Sequence, residues 1–134
     1  MAEDLQVEST IEDKVVVLKV RYGPELMLSR RAHETLSAEL VKRYEAESAK
    51  DDSVKTNSCI IIIEADTAGS PLVRALFELY KTVYAGSGQV ICVGFPPDYI
   101  DSLTTLGLTG LPGFSLANNK EEGLFRLNGP KPVP

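Results

Sequence analysis

Cys59-Ile60-Ile61-Ile62-Ile63, followed closely by Asp66-Thr67-Ala68-Gly69-Ser70-Pro71, is the stretch whose reading decides the fold. The unbroken β-branched run has the pattern of a strand covered on both faces. The polar turn after it stops that strand and starts a helix. Ser70 is a good N-cap residue, and Pro71 at the first helical position has φ already set and loses no N–H the helix needs. Leu72, Val73, Leu76, Phe77, Tyr80, Val83 and Tyr84 then recur at three- and four-residue spacing, which predicts one wide apolar face. Arg74, Glu78 and Lys81 lie opposite. Gly86-Ser87-Gly88 ends the helix, and Gln89-Val90-Ile91-Cys92-Val93-Gly94 returns as a second buried strand. A strand–helix–strand unit of this length is a parallel, right-handed crossover.

Upstream, Leu5 to Thr10 alternates and Lys14 to Arg21 is strongly β-branched, with Glu12-Asp13 suited to the turn between them, so the chain opens with an antiparallel hairpin. A helix capped by Ser29 follows, with Leu36, Leu40, Val41 and Tyr44 as its buried stripe. Arg30, Glu34, Glu39, Lys42, Arg43, Glu45 and Glu47 are placed mostly on its solvated side. Residues 49–57 read as a polar surface loop. Downstream of the crossover, Gly94-Phe95-Pro96-Pro97-Asp98 is a rigid turn. Tyr99, Ile100, Leu103 and Leu106 predict a short amphipathic helix stopped by Gly107. Phe114-Ser115-Leu116 is a last short strand, and a final helical turn carries Leu124, Phe125 and Leu127. Residues 128–134 are rich in Pro and Gly and read as a frayed, disordered tail. The expectation is a single α/β domain over residues 1–127. It has a mixed sheet of about five strands, an N-terminal antiparallel hairpin and parallel crossovers, packed by about four helices.

The chain carries a net charge of −5 and no Lys/Arg cluster, which argues against nucleic acid and anionic membrane surfaces as partners. No stretch has the length of a membrane span. The acidic N-terminus, with no apolar core behind it, does not read as a signal peptide, so the expected location is cytoplasmic. Cys59 and Cys92 fall inside the two buried strands. A disulfide between neighbouring strands stays open, with buried reduced thiols the expectation.

Several phrases, in this order, resemble a known family. Val15-Val16-Val17-Leu18-Lys19-Val20, with Glu25-Leu26-Met27-Leu28 shortly after, is similar to the opening strand and "G-E-L-D" turn of STAS domains. Leu76-Phe77-Glu78-Leu79-Tyr80-Lys81 and Gly86 to Gly94 resemble that family's central helix and following strand. Phe95-Pro96-Pro97-Asp98-Tyr99-Ile100, with Leu103 and Leu106-Gly107-Leu108, resembles its "P-P-x-V…L-x-x-x-G-L" segment. The resemblance runs from Leu5 to Leu127. It implies the fold of anti-sigma factor antagonists and of the cytoplasmic ends of sulfate transporters. It also implies a non-catalytic regulatory module whose partner is an anti-sigma factor or a related serine kinase. Two departures stand out. Family members switched by phosphorylation carry "D-S-[ST]-G" at the turn that here reads Asp66-Thr67-Ala68-Gly69-Ser70-Pro71, and Met27 replaces the acidic residue of the earlier turn. Counted back from Gly94, Ser70 meets the family's first serine and Pro71 its phosphorylated residue.

Ser70 therefore has two readings. As phosphoacceptor, it sits beside unpaired N–H groups and the positive end of a helix dipole, where phosphate is tolerated. As a plain N-cap, it contributes about 1 kcal/mol. Thr67 is the alternate acceptor. The expected docking surface comprises Asp66, Gly69, Ser70, Pro71, Leu72 and Arg74, together with Ser29 and Arg30 at the start of the first helix. No oxygen ligands beside Asp66 complete a Mg²⁺ or Ca²⁺ site, and His33 lacks a nucleophile or metal partner, so neither metal nor cofactor is expected. Two rivals stand beside the regulatory switch. One is a constitutive scaffold or transporter-complex subunit without phosphorylation. The other is a small-ligand-binding α/β domain with its site near Asp66 and Phe95. A homodimer is left open.

Overall fold

The structure, a computed structural model, describes residues 5–12, 15–23, 31–50, 58–64, 70–86, 88–94, 107 and 110–128. Strands β1 (Gln6–Glu12) and β2 (Val15–Arg21) pair antiparallel with Gln6 opposite Arg21 and Glu12 opposite Val15. The first strand thus runs past Thr10 to include Glu12, because Ile11 continues the alternation and pairs with Val16. Helix α1 (Ala32–Lys50) leads to β3 (Cys59–Glu64), α2 (Ser70–Ala85) to β4 (Val90–Val93), and β5 (Phe114–Ala117) precedes α3 (Lys120–Asn128). The five strands lie in the order β1-β2-β3-β4-β5, all parallel after the first pair. This is the mixed sheet the sequence implies. The helix expected over Tyr99 to Leu106 and the cap at Ser29 fall outside the described residues, as do residues 129–134.

The sheet buries both faces, as its β-branched strands require. On one face Val16, Leu18, Val20, Cys59, Ile61, Ile63, Val90 and Cys92 pack under α1 and α2, through Leu36, Leu40 and Tyr44 of α1 and Leu72, Leu76, Leu79 and Val83 of α2. On the other, Val15, Val17, Ile60, Ile91 and Val93 meet Leu124 and Leu127 of α3. Gly123 lets α3 approach this closely, since a Cβ there would lie 3.1 Å from Cδ1 of Ile60.

Five readings are corrected. Phe77 and Tyr84, taken as part of the apolar face of α2, are 39% and 48% exposed. They stand at the rim of an arc wider than the sheet can cover. Val41, read as part of the buried stripe of α1, is only partly buried, and Phe125 of α3 turns outward at 59% exposure. Glu47, placed on the solvated side of α1, is 8% exposed and accepts a hydrogen bond from Oγ of Ser9. Finally, α1 continues through Lys50, so the helix includes the start of the segment read as loop.

Candidate functional site

The corner between β3 and α2 is set by its two flanking elements. β3 delivers the chain to Glu64, where parallel pairing places it opposite Arg21 of β2. Nη2 of Arg21 donates to Oε1 of Glu64 at 2.7 Å, and Nζ of Lys19 lies 3.9 Å from Oε2. The Arg21 guanidinium holds the Glu64 carboxyl below the usual carboxylate range, helped by Lys19, while Glu64 raises Arg21 in turn. This trio caps the C-terminal ends of β2 and β3, and no reading of either strand alone reveals it. Its signal is the alternation of Lys19 and Arg21, which is informative only once the β2–β3 register is known.

α2 begins at Ser70 with no acidic residue in its first turn, so its dipole is uncompensated by its own side chains. Leu72 and Val73 are buried immediately after, followed by Ala75 and Leu76, and they clamp the first turns onto the sheet. Arg74 projects outward from the same turn and is exposed. Of the expected contact residues, then, Arg74 is available to a partner. Leu72 is wholly buried, so its part is to seat the helix rather than to touch anything docked on it. Ser70 and Pro71 are the first two residues of α2, with side chains outside the described set. Asp66, Thr67, Gly69, Ser29 and Arg30 lie outside the described residues.

On the α3 side of the sheet, a cleft of about 350 Å³ is lined by Glu8, Thr10, Glu12, Val17, Lys19, Ile62, Glu64 and Lys120. Its charges are largely committed to one another. Nζ of Lys120 lies 2.8 Å from Oε1 of Glu12, an attachment that raises the lysine, and Glu64 holds Lys19 and Arg21. Among the described residues no three His, Cys, Asp or Glu side chains come together as a metal set. Cys59 pairs with Val90 and Cys92 with Ile61, so the thiols sit on adjacent strands without facing each other. Both are free and buried; desolvation pushes Cys92 up to about 12 and Cys59 strongly upward. Neither is a nucleophile at neutral pH. His33 falls within α1, its side chain outside the described set. No helix among the described residues is long and apolar enough to cross a membrane.

No protein-family model and no curated protein matches the sequence. Among solved structures, the chain is similar to that of the anti-sigma factor antagonist SpoIIAA in its unphosphorylated form. The two share 15% identity at a TM-score of 0.55, over 94% of this chain and 99% of the other. The chain has the STAS fold, as the sequence resemblance implies.

Proposed function

We propose that this chain is a non-catalytic regulatory module that docks a protein partner on the corner between β3 and α2. In this reading docking is switched by phosphorylation of Ser70 or Thr67. The observation that carries it is the start of α2: Ser70 opens a helix with no acidic side chain in its first turn, beside exposed Arg74 and over buried Leu72 and Val73. A fixed, electropositive helix start suits a phosphate, which adds about −1.5 to −2 charges and disrupts an interface shaped to the neutral hydroxyl. The shared fold with an anti-sigma factor antagonist supports the same reading. The partner is then an anti-sigma factor or related ATP-dependent serine kinase, in the cytoplasm, and the output is regulation of transcription. In the modifying step the Ser70 hydroxyl oxygen bonds to the γ-phosphorus of ATP as the bond to ADP breaks, and the hydroxyl proton is released.

Pro71 favours a second reading. It occupies the second position of α2, where switched relatives carry a hydroxyl, and it removes an N–H that would otherwise bind phosphate. The module is then a constitutive scaffold, such as a transporter-complex subunit. Incubation with a cognate serine kinase and ATP, followed by intact mass, separates the two. The switch predicts one added phosphoryl group and lost binding for Ser70→Asp or Thr67→Glu. An unchanged mass, with binding indifferent to both substitutions, leaves the scaffold.

A further inference from the structure

Arg74, Phe77, Lys81 and Tyr84 follow one another along the outward face of α2 at intervals of three, four and three residues. All four are exposed. The interval pattern reads the same in both directions, while the chemistry alternates between cation and aromatic ring. Read backwards, each cation therefore falls where the forward stripe has a ring. We propose that α2 pairs antiparallel with α2 of a second copy of this chain. Arg74 of each copy then lies against Tyr84 of the other, and Lys81 of each against Phe77 of the other. The interface is isologous, with a two-fold axis on the outward face of α2 between Phe77 and Lys81, and closes after two copies.

Each part of the stripe is prepared for this. Phe77, Tyr80 and Tyr84 form a stacked ladder, with centroids 6.3 Å and 5.3 Å apart. Tyr80 anchors the ladder by donating its hydroxyl to the carbonyl of Pro112 at 2.6 Å, so the exposed rings are held before any partner arrives. Nζ of Lys81 already lies 5.2 Å from the centroid of its own Phe77, so the pairing of this ring with a cation that the dimer repeats between copies is already made within one. Arg74 makes no hydrogen bond or ion pair among the described residues, and its ring partner on the second copy supplies one of the few neutral attractions open to a guanidinium. Glu78, paired with Lys81 at 3.0 Å, lies near the axis and separates the lysines of the two copies. The antiparallel arrangement sends the two Ser70 helix starts to opposite ends. Arg74 is shared with the docking surface proposed at that corner, whereas Phe77, Lys81 and Tyr84 lie outside it, so Phe77→Leu tests the dimer apart from that reading.

One helix against one helix is a small interface, below about 1,200 Å², so the dimer is a weak one. Sedimentation of the full chain from low micromolar to about millimolar concentration is expected to show a monomer–dimer equilibrium. Phe77→Leu keeps an apolar side chain but deletes two ring–cation contacts by symmetry, and weakens the dimer about tenfold. Arg74→Glu, at an exposed position that folding does not use, abolishes it. A nitroxide on Glu78→Cys reads the geometry directly, because buried Cys59 and Cys92 do not label. Packed helices stand ~8–10 Å apart, so the interspin distance falls under about 20 Å. A monomer throughout, a dimer indifferent to both substitutions, or a long interspin distance each overturns the inference.

Discussion

Ser9 of β1 donates its hydroxyl to Oε2 of Glu47 on α1 at 2.6 Å, joining the edge strand of the sheet to the helix above it through a buried carboxylate. A carboxylate taken out of water needs its hydrogen bonds, and bonds to charged groups are worth about 1.5–3 kcal/mol. Ser9→Ala is therefore expected to lower stability by about 1–2 kcal/mol, read as a reduced urea midpoint with unchanged slope. Ser9→Thr, which keeps the donor, should lose much less.

Gly94 closes β4 with φ +83°, and a Cβ there would lie 2.6 Å from the carbonyl oxygen of Ile63. That contact is with backbone of the neighbouring strand, which has no room to yield. Gly94→Ala is expected to cost about 1–2 kcal/mol from the left-handed backbone alone, with the clash added. Thermal unfolding measures it, and a near-neutral effect would show that β3 and β4 end differently.

Leu72 and Arg74 stand two residues apart on α2 with opposite roles, one wholly buried and one exposed. Leu72→Ala should destabilise the fold by about 2–5 kcal/mol, and Arg74→Ala by less than about 0.5 kcal/mol. Paired denaturant curves test this division between seating the helix and meeting a partner.

The buried thiols make the fold sensitive to alkali. Burial raises Cys92 from 9.0 to about 12, and Tyr44 is likewise raised to about 12, first by desolvation. A raised folded-state value favours the neutral form in the native protein. The contribution is full below about pH 9 and is lost as pH rises from there toward 12, where the unfolded chain ionises first. The melting temperature is expected to fall between about pH 9 and 11, and a thiol reagent at about pH 8 should modify neither cysteine until the protein unfolds.

The crossover at the centre of the fold was legible because Cys59 to Ile63 admits one environment, a strand covered twice, and because Gly86 punctuates the helix where it ends. Local signals sufficed there. They failed where a side chain's fate depends on distant chain. Glu47 is buried because Ser9 awaits it 38 residues away, and the Arg21–Glu64 pair exists because two strands register as they do. Phe77 and Tyr84 obey the helical period yet face out, since periodicity gives the direction of an apolar arc but not how much of it a neighbour covers. The candidate corner was legible only in part: Ser70 does open α2 and Arg74 is exposed there, while Leu72 belongs to the interior.

Spatial order in the sheet repeats chain order, from β1 through β5 without a strand being skipped. Each strand emerging from the ribosome therefore finds its docking edge already made, and none has to be inserted between two that have met. Assembly can advance with translation, β1 and β2 closing a short loop and each later strand docking in parallel after a longer connection. β5 then extends the sheet at its edge, and α3 after it seals the face that α1 and α2 leave open.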